Sequence, residues 1–275
     1  MKVKAEVSGK QSLNHSSAFS ASSILDFIFY SNFAVGICTV SAAAAASVYS
    51  QASINVYCLI FLFCSTIFIY NLDRLKPSIS DQINCPERCQ WLEENKSLIL
   101  NINLLSLSIC LWILASQFKV AILICAALLL GLCLAYKAFA KKVPSSKNFL
   151  VATVWTSAVA ILPNLWNEAP HNPSFIILCF LLALTNTLFF DLRDKKGDMK
   201  EGIKSIPMLL SDQNTHRLII LLAIITFSFA IFSKFLLGSL VALCYILLLT
   251  FKESRLKYLL ADMVLAIPAL QLIFS

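Results

Sequence analysis

Long apolar segments separated by short charged ones constrain this chain more than any other feature of its sequence. Of its 275 residues, 59% are hydrophobic and only 13% are charged, and the mean hydropathy is +0.78. No soluble domain of this size needs so much apolar surface, so the composition predicts a polytopic membrane protein. It excludes a secreted disulfide framework, because eight of the ten cysteines lie inside apolar segments as small hydrophobes.

Nine apolar windows predict nine transmembrane helices, and hence an all-α membrane bundle. Several windows are shorter than the ~20 residues that a perpendicular span needs, so their ends are approximate. We interpret residues 1–23 as a polar, basic N-terminal tail and residues 24–275 as a single transmembrane domain. The windows are residues 24–47, 53–72, 97–116, 119–136, 149–163, 174–190, 217–232, 235–250 and 258–273.

The basic residues predict how these spans are oriented. If the N-terminus is cytoplasmic, 20 of the 22 Lys and Arg residues fall in cytoplasmic segments, and only Lys119 and Lys234 do not. A different number of helices would break this alternation. Nearly all acidic residues fall on the same side, with Glu168 the clear exception. We therefore expect a central cavity that opens to the cytoplasmic side. The net charge of +7 reflects this asymmetry and does not indicate nucleic-acid binding.

Three carboxylates follow the sixth window: Asp191, Asp194 and Asp198. Their spacing places them on one face of a helical extension. They lie near a helix C-terminus, where the macrodipole disfavours negative charge, so they repel one another unless a cation neutralises them. Mg²⁺ prefers oxygen ligands and is commonly shared with substrate phosphates. The triad therefore fits a magnesium–diphosphate site, and the alternative is a solvated helix end balanced by neighbouring basic residues such as Arg193.

A second acidic cluster occupies the corresponding position after the second window. Both clusters follow an even-numbered span, so they would face one cavity and could hold two or more metal ions around a diphosphate. Arginine side chains there would bind phosphate bidentately. The alternative is an ordinary charged loop whose ion pairs contribute little. The cluster comprises Asn71, Asp73, Arg74, Asp81, Asn84, Glu87 and Arg88.

Two further regions are candidates for the same cavity. The loop after the fourth window is basic without acidic residues, which the positive-inside rule explains; alternatively, Lys147 in this loop neutralises phosphate. Asn186 is polar at membrane depth, five residues before the triad. Polar groups there usually face a bundle interior or a cavity, so Asn186 is a candidate for the wall of a substrate pocket.

In its two acidic clusters, the chain resembles the UbiA superfamily of intramembrane prenyltransferases. The triad followed by Gly202, Ser205 and Pro207 is similar to the family pattern of D-x-x-D-x-x-x-D, then Gly, then Thr/Ser-x-Pro. Tyr136 and Lys137, with Lys147 beyond them, loosely resemble the family's tyrosine–basic loop.

The first motif departs from the family pattern. Asp73 and Arg74 match, but Pro77 follows and the next aspartate is Asp81. Proline lacks the N–H donor and disfavours helical geometry before it, so Asp81 cannot continue the helical face of Asp73. The chain therefore resembles a divergent member of the family.

The resemblance implies transfer of an isoprenyl group from its diphosphate to a lipophilic or aromatic acceptor within the bilayer. Mg²⁺ and basic side chains would neutralise the leaving diphosphate, and an apolar chamber would protect the allylic carbocation from water. No nucleic acid and no obligate protein partner is expected. The implied catalytic residues are Asp73, Asp191, Asp194 and Asp198. The implied metal ligands are these four and Asp81. The implied substrate-binding residues are Asn71, Arg74, Arg88, Tyr136, Lys137, Lys147, Asn186 and Arg193.

The sequence is also compatible with other functions. A membrane terpene cyclase of the same type would use the same ionisation without an acceptor. A CDP-alcohol phosphatidyltransferase is disfavoured because its Asp-Gly and Ala-Arg elements are missing from the triad segment. A small transporter is disfavoured because few charges lie at mid-membrane, where coupled transport sites lie. We expect an integral protein of a bacterial plasma membrane, with an organelle membrane as the alternative.

Overall fold

The computed structural model describes residues 21–252, 255–264 and 267. Over these residues the chain is all-helical, with no strand, as predicted. The predicted tail at residues 1–23 lies almost wholly outside them, as does the end of the ninth window. The helices are α1 (Ala21–Tyr30), α2 (Phe33–Tyr49), α3 (Val56–Arg74), α4 (Ile79–Asn84), α5 (Pro86–Glu94), α6 (Lys96–Ser116), α7 (Val120–Lys142), α8 (Ser146–Thr156), a π-helical segment (Ser157–Ile161), α9 (Leu162–Asn167), α10 (Pro173–Glu201), α11 (Ile206–Leu209), α12 (Asp212–Phe232), α13 (Leu236–Thr250) and α14 (Arg255–Val264).

Six helical segments in the described part of the chain are long and apolar enough to cross a membrane. They are α3, α6, α7, the continuous stretch Ser146–Asn167, α10 and α12. A seventh span results if α1 and α2, which meet at 62°, cross the membrane together. The shorter apolar helix α13 coincides with the eighth window, and α14 covers only part of the ninth. The chain is thus a multi-pass membrane protein, and nine spans remain a prediction.

The first window is broken near its N-terminal end rather than forming one straight helix. Asn32 lies between α1 and α2 with a φ of 66°, in the left-handed region that asparagine tolerates better than most residues. Its side chain is fully buried and hydrogen-bonds to Asn71 near the end of α3. The break therefore directs a polar side chain to the place where the first acidic cluster begins.

The longest helix, α10, carries the triad. It begins with Pro173 after Asn172, whose side chain accepts a hydrogen bond from the Phe175 N–H, a common N-terminal arrangement. It ends at Gly202, whose φ of 77° suits a helix C-terminus. Because the helix runs unbroken from apolar to charged sequence, all three aspartates extend from one rigid element packed between α4, α8 and α12.

The turn between α7 and α8 is hydrogen-bonded to the segment that follows α10. The Ser145 N–H donates to the Lys204 carbonyl at 2.7 Å, and the Lys204 N–H donates to the Ala140 carbonyl at 2.9 Å. These bonds fix the start of α8, and with it the basic loop, beside the triad.

Candidate functional site

Helix α4, which carries part of the first cluster, packs directly on the triad helix at Gly197. The Gly197 N–H donates to Asn84 Oδ1 at 3.0 Å, and Asn84 Nδ2 donates to the Asp194 carbonyl at 2.9 Å. A Cβ atom on Gly197 would lie 2.6 Å from the Ser80 carbonyl oxygen, too close to be accommodated without movement. A glycine at position 197 therefore allows the two clusters to meet.

Lys147, in the first turn of α8, bridges two aspartates of the triad. Its Nζ lies 2.7 Å from Asp191 Oδ1 and 2.7 Å from Asp198 Oδ2. The other oxygen of each carboxylate is also bound, because Asn148 Nδ2 donates to Asp191 Oδ2 at 2.9 Å and Ser80 Oγ donates to Asp198 Oδ1 at 3.1 Å. Both aspartates are buried. All four carboxylate oxygens thus have protein donors.

Asn148 and Ser80 were missed by the sequence reasoning. Asn148 is fully buried, and its Oδ1 accepts a hydrogen bond from the Ile206 N–H at 2.9 Å, so it ties α8 to both α10 and α11. In the sequence, only its position next to Lys147 indicated that Asn148 could belong to the site. No feature of the sequence indicated that Ser80 belongs to the site, because its contact partner Asp198 is 118 positions away along the chain.

Asp194, the third aspartate of the triad, is paired differently. Its carboxylate accepts two hydrogen bonds from its sequence neighbour Arg193, at 2.6 and 2.9 Å. The Arg193 guanidinium also lies over the rings of Phe190 and Tyr258, 4.9 and 4.8 Å from their centroids. Asp194 is less deeply buried than the other two aspartates, with 23% of its side chain exposed.

Asp73 lies next to the tyrosine and lysine predicted as part of the site. Lys137 Nζ is 2.7 Å from Asp73 Oδ1, and the Tyr136 hydroxyl donates to Asp73 Oδ2 at 3.3 Å. Both residues belong to α7 rather than to the loop that follows it. The Asp73 side chain is 39% exposed, the most accessible of the five predicted metal ligands.

Asp81 does not continue α3, which ends at Arg74 before Pro77 as expected, but lies in the first turn of α4. It forms a capping box with Ser78, and Arg88 Nη2 lies 2.6 Å from its Oδ1. Burial raises the pKa of Asp81, but the Arg88 ion pair and the hydrogen bonds from Ser78 outweigh it and hold the pKa below its ordinary value. The carboxylate therefore stabilises the fold of this loop in its ionised form.

Asn71 and Arg74 are connected through Asn32. Asn32 Nδ2 donates to Asn71 Oδ1 at 2.6 Å, and Arg74 Nη1 donates to Asn32 Oδ1. The Arg74 guanidinium also lies over the Tyr70 ring, 5.6 Å from its centroid. Asn71 is fully buried. It thus acts on the position of Arg74 through Asn32, rather than facing the cavity as predicted for a substrate-binding residue.

One cavity of about 920 Å³ brings the two clusters together. Its charged end is formed by α3, α4, α5, α7, α8 and α10, and the remainder is lined mainly by apolar side chains, such as Leu134 of α7 and Val154 of α8. Asn186 lies on its wall and donates a hydrogen bond to the Tyr245 hydroxyl at 2.7 Å. The predicted site residues that line it are Asp73, Arg74, Asp81, Arg88, Tyr136, Lys137, Lys147, Asn186, Asp191, Arg193, Asp194 and Asp198.

The donor chemistry of the cavity fits Mg²⁺ in part. Carboxylate oxygens are the ligands this ion prefers, and it usually keeps several waters and binds through one or two carboxylates plus phosphate oxygens. In the described residues, no three His, Cys, Asp or Glu side chains are grouped so as to hold a metal ion by themselves. Asp73 and Asp194 are the exposed members, whereas Asp191 and Asp198 are enclosed by protein donors.

Comparison with known proteins decides the family. Residues 92–263 match the model of the UbiA prenyltransferase family. The chain belongs to this family. The match contains the triad and begins beyond the first cluster, which is the part of this UbiA chain that departs from the family pattern. No curated protein sequence matches the chain.

Solved structures of UbiA proteins share the fold. A UbiA homologue from Aeropyrum pernix K1 in its apo form has 16% identity and a TM-score of 0.66, over 87% of this chain and 97% of that one. A homologue from Archaeoglobus fulgidus bound to GPP and Mg²⁺ has 13% identity and a TM-score of 0.64, over 91% and 100%. A digeranylgeranylglyceryl phosphate synthase has 16% identity and a TM-score of 0.51, over 90% and 99%.

Proposed function

We propose that this UbiA-family protein transfers an isoprenyl group from its diphosphate to a lipophilic or aromatic acceptor within the bilayer, with Mg²⁺ as cofactor. The observation that carries the proposal is the single cavity with charges at one end and an apolar remainder. Such a cavity suits a substrate with an anionic head and a hydrocarbon tail. The Archaeoglobus fulgidus homologue, which has the same fold, binds a prenyl diphosphate of this kind.

The basic side chains of the cavity would bind the diphosphate. Arg74 is held by Asn32 and the Tyr70 ring, and Arg88 by Asp81, so both guanidinium groups are positioned before substrate arrives. Lys137 lines the same cavity beside Asp73. Positive groups held in place stabilise charge that develops on the leaving diphosphate, at little cost of reorganisation.

The aspartates of the cavity would hold the magnesium, with Asp73 and Asp194 the most accessible of them. Bound there, the ion supplies further charge to stabilise the leaving diphosphate. The ion would compete with Lys137 for Asp73 Oδ1 and with Arg193 for the Asp194 carboxylate, and phosphate groups that bind Lys137 and Arg193 would favour the ion.

The apolar part of the cavity would hold the prenyl chain and exclude water. The allylic carbocation left by departure of the diphosphate reacts with water unless the acceptor reaches it first. Aromatic side chains on the wall, among them Tyr136, Trp155 and Phe190, would stabilise this cation through the faces of their rings. The acceptor would enter from the bilayer and attack the same carbon.

We also propose the orientation that the basic residues indicate: nine spans, with the N-terminus and the charged end of the cavity on the cytoplasmic side. On this orientation the water-soluble diphosphate product leaves towards the cytoplasm, while the prenylated product remains in the membrane. A bacterial plasma membrane is the proposed location.

Diphosphate release tests the function directly. The purified protein in liposomes is incubated with geranyl, farnesyl or geranylgeranyl diphosphate, with and without a lipid extract as a source of acceptor, in Mg²⁺ or in EDTA. We expect Mg²⁺-dependent diphosphate release that increases when the extract is added. Formation of hydrocarbon without the extract would favour the cyclase instead. No release from any of the three substrates, under conditions in which another UbiA enzyme is active, would contradict both.

A further inference from the structure

We propose that Lys147 is a built-in cation that takes the place of a metal ion between Asp191 and Asp198, so that these two aspartates are not magnesium ligands in this protein. The inference rests on the proposed function for its meaning, since it concerns how the same cavity neutralises a diphosphate. It corrects the expectation that all three aspartates of the triad bind metal.

The geometry around Lys147 is that of an occupied cation site. Its ammonium group is 2.7 Å from an oxygen of each aspartate, and the two remaining oxygens accept hydrogen bonds from Asn148 and Ser80. Side-chain exposure is 14% for Lys147, 7% for Asp191 and 3% for Asp198. A metal ion that took this position would have to expel a buried ammonium group and leave it without its counter-charges, which is strongly unfavourable.

The supporting structure gives the lysine little freedom to leave. Lys147 lies in the first turn of α8, directly after the turn whose Ser145 N–H is bonded to the Lys204 carbonyl. Its neighbour Asn148 bonds to Asp191 on one side and to the Ile206 N–H on the other. The start of α8 is thus attached both to α10 and to the segment that follows it, which holds the ammonium in place.

Lys147 also lines the cavity. An ammonium group has three N–H donors, and the two aspartates use two of them. The third is available to a phosphate oxygen. The lysine would then neutralise both the buried carboxylates and part of the diphosphate charge. The chain itself would thus supply positive charge at this position.

Asp73 and Asp194 differ in ways that leave them suited to metal binding. The cationic partner of Asp73 is Lys137, whose side chain is 28% exposed and lines the cavity. The partner of Asp194 is the adjacent Arg193, which also contacts two aromatic rings and keeps those contacts if it releases the carboxylate. Divalent metal binding is therefore confined to the part of the cavity that Asp73 and Asp194 face.

Manganese binding to the purified protein without prenyl substrate tests this proposal. The loss of the free Mn²⁺ signal in electron paramagnetic resonance gives the number of ions bound per chain. We expect Asp191→Asn and Asp198→Asn to leave this number unchanged and Asp194→Asn to lower it. Lys147→Met should bind one more ion than the wild type, through the two carboxylates that it releases.

Matched variants control for correct folding and for the site at which the additional ion binds. Lys147→Arg keeps the positive charge and should bind as the wild type does, whereas Lys147→Met combined with Asp191→Asn should lose the additional ion. A monodisperse Lys147→Met protein that binds no additional ion overturns the proposal, as does loss of Mn²⁺ from Asp191→Asn or Asp198→Asn. Because no prenyl diphosphate is present, these results hold even if the protein proves inactive as a prenyltransferase.

Discussion

Each of the five predicted metal-ligating aspartates has both carboxylate oxygens bound by protein donors, but the donors are not equivalent. Asp191 and Asp198 are bound by buried groups from other helices, and Asp81 by its own short helix and Arg88. Asp73 and Asp194 are bound by groups at the cavity surface. At the scale of single residues, this difference separates side chains that organise the site from those able to exchange their partners for a ligand.

Substitutions in the triad should lower activity for two different reasons. Asp191→Ala, Asp194→Ala and Asp198→Ala should each reduce turnover by at least about 100-fold, the scale seen when one stabilising group is removed from a charged transition state. Only Asp194→Ala should also raise the Mg²⁺ concentration needed for half-maximal rate, because the other two act by holding Lys147. Steady-state rates over a Mg²⁺ series measure both quantities. Near-wild-type activity in all three would indicate that the triad contributes to the fold and not to the reaction.

Asp73 should matter more to activity than Asp81. Asp73→Ala removes an exposed carboxylate from the cavity. Asp81→Ala removes the N3 carboxylate of the α4 capping box and the ion-pair partner of Arg88, and should cost at least about 1 kcal/mol of stability. Arg74→Ala should mainly raise the KM for the prenyl diphosphate. Kinetics at varied Mg²⁺, together with thermal unfolding, test this ranking. An inactive but stable Asp81→Ala protein beside an active Asp73→Ala protein would show that the first motif has been aligned incorrectly.

At the scale of helices, the site depends on how closely α4 approaches α10. The helices touch at Gly197, where the backbone of α10 lies against the backbone of α4 and the amide side chain of Asn84. This contact sets the position of Ser80, and through it that of Asp198. The glycine stands within the triad segment, and its role becomes evident only from the helix that packs on it.

Gly197→Ala should therefore separate the two clusters. The added Cβ would lie 2.6 Å from the Ser80 carbonyl oxygen, and relieving such a contact typically costs about 1–3 kcal/mol. We expect lower thermal stability and reduced diphosphate release. Gly131→Ala is the matched control, because nothing lies within 4 Å of the position its Cβ would occupy and alanine favours the helix. Equal stability of the two variants would show that the α4–α10 contact is not tight in the membrane.

At the scale of the whole molecule, charge is concentrated at one end of a helical bundle. Helix α10 has 29 residues and is therefore about 40 Å long. This length exceeds the thickness of the hydrocarbon core of a bilayer, which is ~30 Å. The apolar remainder of the molecule, with many exposed leucine, isoleucine and phenylalanine side chains, suits contact with lipid. On the proposed function, the site would lie where a water-soluble head group and a membrane-soluble chain meet.

Cysteine labelling on a cysteine-free background should establish the orientation. Gln82→Cys and Lys200→Cys should react with an impermeant maleimide only from the cytoplasmic side, and His171→Cys only from the opposite side; all three residues are exposed in the fold. Positions 171 and 200 lie near opposite ends of α10, so each serves as a control for labelling of the other. Labelling of positions 82 and 200 from opposite faces would contradict the common site.

Periodic and compositional features were predictable from the sequence because they depend on local hydrophobicity. The windows at 97–116, 174–190 and 235–250 closely match α6, the apolar part of α10 and α13. The break at Asn32 was not predicted, because an asparagine in an apolar segment gives no indication of a left-handed backbone. It depends on a hydrogen bond to Asn71, which is 39 positions away.

The all-helical membrane class, the family pattern of the triad and the set of charged residues available for a site could all be predicted from the amino-acid sequence. These follow from hydropathy and spacing, which are properties of neighbouring residues. The partners of these residues became evident only in the fold, where Lys137 pairs with Asp73 and Lys147 lies between Asp191 and Asp198. Ion pairs form between groups that packing brings within a few ångströms, and packing joins residues 44 to 64 positions apart here. The division that we propose between ligand-binding and structural aspartates therefore rests on the fold.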